Sequence, residues 1–261
     1  MSKFSPANVK IKALSKVQAI KKFLPSGKKV YSFDVLSGHS CPFANECASR
    51  VDIVDGKKKI KDGKNTLFRC FSASQEVIYT NVYNLRKANF DELKDLTQSE
   101  MVDRIQAAMP SDLGVCRIHV AGDFFNQVYF DAWVAIATKN PDKLFYAYTK
   151  SLPYWVNRLG SIPNNLILTA SKGGRRDDMI EAYGLRSVQV VFSNYQAKKL
   201  KLKVDHTDEC AANPEKKNVP FCLLIHGVQI SGSTASAAIS RMKKSGVQFA
   251  YSKKTEFAGA K

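Results

Sequence analysis

"VCRIHVAGDFFNQVYFDAWVAIATKNPDKLFYAYTKS", residues 115–151, decides the fold class. It opens with an apolar, β-rich run, "VCRIHVAG", that closes on Gly122 and Asp123. From Asn126 the apolar residues Val128, Phe130, Trp133, Val134 and Ala137 recur at helical spacing. "KLFYAYTKS" then returns to strand character. A strand, an amphipathic stretch and a second strand form a βαβ unit, which joins parallel strands.

The same alternation continues downstream. "NNLILTASKGG" is a strand and "RRDDMIEAYGL" a helix with acidic residues in its first turn. "SVQVVFSN" and "PFCLLIHGVQ" are strands, and "TASAAISRMKKSG" is a last helix ending at a glycine. Upstream, "KKVYSFDVLSG" is an opening strand. "DIVDGKKKIKDGK" predicts a hairpin with turn signals at Asp55-Gly56 and Asp62-Gly63. Residues 72–96 and 99–109 predict helices. The expected architecture is a single α/β domain over residues 1–261. It has about six parallel strands, in a partial or complete (β/α) barrel or an open doubly wound sheet. Residues 1–28 form a basic helical extension, with Ile11, Leu14, Val17, Ile20 and Phe23 at three-residue steps.

Of the 261 residues 44% are hydrophobic and 24% charged, which excludes a disordered chain. No apolar run approaches the roughly 18 residues of a membrane span. The first residues lack a secretory apolar core. Net charge is +17, from 40 basic and 23 acidic residues. That balance fits a nucleic-acid or acidic protein partner, and equally a solvated lysine surface.

Six cysteines, at 41, 47, 70, 116, 210 and 222, are expected to be reduced. "CPFANEC", 41–47, is the loop that follows the opening strand, and Cys70 follows the hairpin. Thiolates in this number hold zinc or an iron–sulfur cluster, but there is no CxxC knuckle. Spacing alone leaves Cys41, Cys47 and Cys70 open between a metal site and ordinary thiols. Cys210, in the polar stretch "DHTDECAANPEKK", is a candidate fourth ligand. Cys116 and Cys222 lie in apolar strands and are expected in the core.

Parallel α/β folds place their sites beyond the carboxyl ends of the strands. Asp123, Lys150, Ser171 and His226 stand at such ends, on the rim that also carries the Cys41 loop. Asp123 suits a cofactor hydroxyl or amine, or a helix cap. Lys150 suits catalysis or a phosphate, or plain solvation. Ser171 runs into "KGGRRDD", a glycine-rich turn whose Arg175 suits an anion at a helix start, or an ordinary turn.

"TLFRCFSASQE", "RIHVAGDFFNQVYFDAW", "LFYAYTKSLPYWVNRL", "LILTASKGGRRDD", "LRSVQVVFS" and "LLIHG" together resemble the bacteriophage gene product 88 family, in order, from about residue 30 to 245. A weaker similarity is to radical-SAM-type α/β barrels, in "VAGD" (120–123) and "YTKS" (148–151). Those enzymes carry CxxxCxxC in one loop, whereas these thiols are spread over 41, 47 and 70. The resemblance implies a [4Fe–4S] cluster on Cys41, Cys47 and Cys70, with Cys210 as fourth ligand. It implies S-adenosylmethionine or another cofactor against Asp123, Lys150, Ser171 and Arg175, and a radical or redox role in a host cytoplasm. The alternative is a basic nucleic-acid-binding or host-interaction protein with a structural cluster or zinc.

Overall fold

The computed structural model describes residues 2–247. Among the described residues nine strands form: β1 (Phe4–Pro6), β2 (Lys29–Phe33), β3 (Ser49–Val54), β4 (Lys57–Asp62), β5 (Leu113–Ile118), β6 (Leu144–Thr149), β7 (Leu166–Ser171), β8 (Ser187–Val191) and β9 (Phe221–Leu224). Seven make one sheet in the order β1-β2-β5-β6-β7-β8-β9, while β3 and β4 form a separate hairpin. From β2 to β9 every pairing in the large sheet is parallel, and only β1 runs antiparallel to its neighbour β2. The parallel strands lie in chain order without reversal, so all their carboxyl ends share one rim.

Alternate residues of each strand serve different cores, as the two-residue period requires. Cys116, Phe145 and Leu168 face the helices Gln98–Ala108 and Gln127–Lys139, packing with Met101, Ile105, Trp133 and Ile136. Val115, Leu144, Tyr146 and Ile167 face the other way. There they meet Ile11, Leu14 and Ile20, each with no exposed surface, and Ala211.

Of the expected extension 1–28, the described residues 2–28 are therefore not an appended helix. Their first strand edges the sheet and the rest seals its second face. The three-residue apolar steps fit this better than an amphipathic α-helix. The segment is an α-turn (Val9–Lys12), a 3₁₀ turn (Ala13–Lys16) and another α-turn (Gln18–Lys21). Side chains three apart eclipse in 3₁₀ geometry, which keeps them on one line. The helix over 98–108 starts one residue before the expected serine. Thr97 and Glu100 form a capping box there, with the Thr97 side chain accepting from the Glu100 N–H. The expected hairpin forms, and its turn places Asp55 and Gly56 at positive φ. Among the described residues, no helix is long and apolar enough to cross a membrane.

Candidate functional site

The six thiols divide by exposure. Cys116, Cys210 and Cys222 are buried, whereas Cys41, Cys47 and Cys70 are partly exposed. Cys41 and Cys47 lie in the loop after β2, and Cys70 is the N-cap of the helix Phe71–Ile78. That loop is strapped across the rim onto the turn after β7. The Glu46 N–H donates to Gly173 O (3.0 Å), and the Arg175 N–H donates to Phe43 O (2.9 Å).

The three thiols share one environment. Burial pushes Cys41 well above its usual range, and the neighbouring Asp123, Cys70 and Cys47 push the same way. Burial also pushes Cys47 up to about 11; Lys150 opposes this, while Cys70 and Asp123 add to it. Cys70 is raised by burial too, against backbone N–H groups of Ala73 and Ser72 at its helix start. All three are held towards the neutral thiol, in surroundings whose charge balance discourages a thiolate unless a cation arrives with it. Among the described residues, no three His, Cys, Asp or Glu side chains stand where one metal ion would bind all of them.

Asp123 and Lys150 reach this pocket from the ends of β5 and β6. Asp123 is 5% exposed. It accepts from Thr149 Oγ1 (2.6 Å), the Lys150 N–H (2.8 Å) and the Phe124 N–H (2.8 Å). Burial pushes its carboxyl up to about 6 against these donors. Its own N–H donates to Ser40 Oγ (3.2 Å), beside Cys41. Lys150 Nζ donates to Ser171 O (2.9 Å), Ser171 Oγ (3.0 Å) and Lys172 O. These acceptors occupy all three ammonium protons. Lys150 thus supplies fixed positive charge beside Cys47, and Ser171 positions that charge.

Gly122, between β5 and Asp123, has φ +85°, and a Cβ there would lie 2.4 Å from Val35 Cγ2 and 2.6 Å from Ser40 Oγ. The close approach of the Cys41 loop to the end of β5 depends on that missing side chain.

Two other sequence candidates fall differently. Arg175 joins the strap through its backbone, and its side chain is exposed. The glycine-rich turn before it already holds an anion, because the Gly173 and Gly174 N–H groups donate to Asp177 Oδ2 (2.7 Å) and Oδ1 (3.0 Å). Cys210 does not join the other thiols. It lies in a helical turn, Glu209–Ala212, packed in the second core with Ile11 and Ala211. Its carbonyl accepts from Arg186 Nη1 (2.8 Å), just before the start of β8 and so away from the rim.

Three histidines are held by contacts within the fold. His39 Nε2 lies 3.0 Å from Val51 O and 3.4 Å from Asp52 Oδ1, towards the hairpin. His119 Nε2 lies 3.0 Å from Tyr129 OH, and burial holds its pKa down at about 3. His226 packs edge-on against Phe71, 4.5 Å between ring centres, and burial holds it down at about 4.

A polar cluster that no sequence motif announced lies on the second face of the sheet. Asp208 has no exposed surface and takes Lys10 Nζ (2.7 Å), Arg117 Nη1, Tyr146 OH (3.1 Å) and Tyr148 OH (3.2 Å). Burial would raise its carboxyl, but Arg117 and Lys10 outweigh that and hold it well below the usual range.

Comparison with known proteins gives a family but no activity. No solved structure matches the chain significantly. The "Gene 88 protein" of Mycobacterium phage L5 is 26% identical over 136 residues, covering 49% of this chain. The match covers 46% of the phage L5 protein, so the chain spans about half the length of that relative. The family model described as "Gene product 88" matches residues 4–242, nearly the whole described structure, and the chain therefore belongs to the phage gene product 88 family.

Proposed function

We propose that Cys41, Cys47 and Cys70 hold an iron–sulfur cluster of [4Fe–4S] type, and that the protein has a redox or radical role. The observation that supports this reading is that three partly exposed thiols influence one another's ionisation, beside Asp123 and Lys150 at the strand ends, while the remaining three are buried. The sequential order of the parallel strands suits a partial barrel, whose rim is the usual place for a site.

Thiols are the donors that such a cluster takes. A zinc ion with Zn–S bonds of about 2.3 Å would draw its sulfurs to within about 4 Å of one another. These thiols influence one another's ionisation, yet they do not meet at one ion. A cube of iron and sulfur spaces its thiolates more widely. The cluster brings electron transfer when bound, and three thiolates leave one iron for an outside ligand.

The chain's own residues prepare the pocket. The helix start at Cys70 and the Lys150 ammonium at Cys47 offset the negative charge of bound thiolates. Thr149 and the Lys150 N–H fix Asp123 beside Cys41. Asp123 and Lys150 have their hydrogen bonds filled from within the protein, so they act on the thiols through their charge. S-adenosylmethionine binding would rest on the open iron, with no grip from either residue.

The test is anaerobic purification followed by iron and sulfide analysis. Brown protein with about four irons per chain supports the proposal. Colourless protein that takes up no iron after anaerobic reconstitution removes it.

A further inference from the structure

The chain between Cys47 and Cys70 is the β3–β4 hairpin, and its residues 49–64 carry six basic side chains against three acidic. Their placement is not random. Lys57, Lys59 and Lys61 alternate along β4 and are all exposed, so they share its outer face. Arg50 stands opposite Lys61 and extends that row onto β3. Asp52, opposite Lys59, is taken by Arg50 Nε (2.9 Å), and Asp55 at the turn lies 3.7 Å from Lys59 Nζ. Asp62 turns inward to Ser49 and Arg69. Among the described residues, no acidic side chain pairs with Lys57 or Lys61.

The underside of the ribbon is spent on the fold. Val51 is buried, and Lys58 Nζ donates to Glu76 O (3.0 Å) and Thr80 Oγ1 (3.0 Å). That anchor sets the hairpin beside Tyr79, which is 54% exposed, and Ile53 at the tip is 53% exposed. A row of cations at about 7 Å steps along one exposed face of a ribbon has the makeup of a surface for a phosphate backbone. The lysines meet phosphates. A two-stranded ribbon is also narrow enough for a major groove.

We propose that this hairpin is a docking surface for a nucleic-acid backbone. The inference does not rest on a cluster at the thiols. Because the ribbon begins two residues after Cys47 and leads to Cys70, a bound strand would lie along the rim beside them.

The test uses the full chain and a fluorescein-labelled single-stranded oligodeoxynucleotide, with a duplex of the same sequence in parallel, followed by anisotropy across salt concentrations. The triple variant Lys57→Glu, Lys59→Glu, Lys61→Glu is compared with Lys198→Glu, Lys199→Glu, Lys201→Glu, which removes the same charge elsewhere. The expected result is a loss of about tenfold or more in affinity for the hairpin variant, with a salt slope shallower by about two. The control variant should lose less than about threefold. A Lys→Gln version of the hairpin triple should show the same order of effect, and thermal unfolding of each variant reports folding. Equal losses in hairpin and control variants overturn the proposal. So does absence of binding at about 50 mM salt, or tighter binding to polyglutamate than to either oligonucleotide.

Discussion

Asp123, at the end of one parallel strand, accepts the backbone N–H of Lys150 at the end of the next, 2.8 Å away. This bond ties two neighbouring strand ends while the Lys150 side chain reaches on to Ser171. Three consecutive strands, β5, β6 and β7, are thus latched at the rim directly beneath the thiols.

Asp123→Ala should strip acceptors from Thr149, Lys150 and Phe124 together. Buried donors left unpaired cost about 1–3 kcal/mol each, so a loss of at least about 3 kcal/mol is expected. Urea unfolding at neutral pH measures it. A change below about 1 kcal/mol would mean that water replaces the carboxylate.

Gly122→Ala attacks the same corner sterically. It places a methyl against Val35 and Ser40 at a φ of +85°. Strain and overpacking together should cost about 3 kcal/mol or more, and the Cys41 loop should be displaced. Denaturation and the reactivity of Cys41 towards a small alkylating reagent, compared with the parent protein, report both effects. Unchanged stability and reactivity would contradict this packing.

Asp208→Asn leaves Lys10 and Arg117 buried without their counter-ion, at an expected cost of about 3–5 kcal/mol. The pH dependence has a definite sign. Asp208 is depressed in the folded state, so the unfolded chain binds its proton first. Its stabilisation is present above an ordinary carboxylate pKa of about 4 and is lost as pH falls below that value. The Asn variant should therefore show a weaker acid-induced fall in stability than the parent. An identical fall would show that the ion cluster does not form.

Leu14→Ala tests whether the N-terminal segment is part of the core. Leu14 has no exposed surface and packs against the second face of the sheet. A fully buried leucine reduced to alanine costs about 2–5 kcal/mol. A surface extension would lose almost nothing.

The fold was legible where the chain carries a clear period. The switch between apolar β-rich runs and helical spacing in 115–151 and beyond marks β5 to β9 and their order along the chain. Residues 1–28 were harder, because apolar steps of three fit an α-helix face and a 3₁₀ turn alike. The sequence around Cys210 misled for a physical reason. "DHTDEC" is polar, yet Asp205 and Asp208 are buried, Asp208 as an internal counter-ion. Polarity there signals a satisfied interior, not a solvent loop. The Asp208 cluster draws on positions 10, 117, 146, 148 and 208, a separation that no local motif can express. Its one trace was Arg117, Tyr146 and Tyr148 at alternate positions within otherwise apolar strands. The strand-end rule placed the Cys41 loop on the rim; that Cys41, Cys47 and Cys70 influence one another was not legible, since their spacing matches no metal motif.

The most direct measurement is the iron content of anaerobically purified single-cysteine variants. Cys41→Ser, Cys47→Ser and Cys70→Ser should each lose most of the iron and the visible absorbance, while Cys116→Ala, Cys210→Ser and Cys222→Ala retain both. Iron that survives loss of Cys41, Cys47 or Cys70, or that disappears with Cys210, would contradict the three-thiol site.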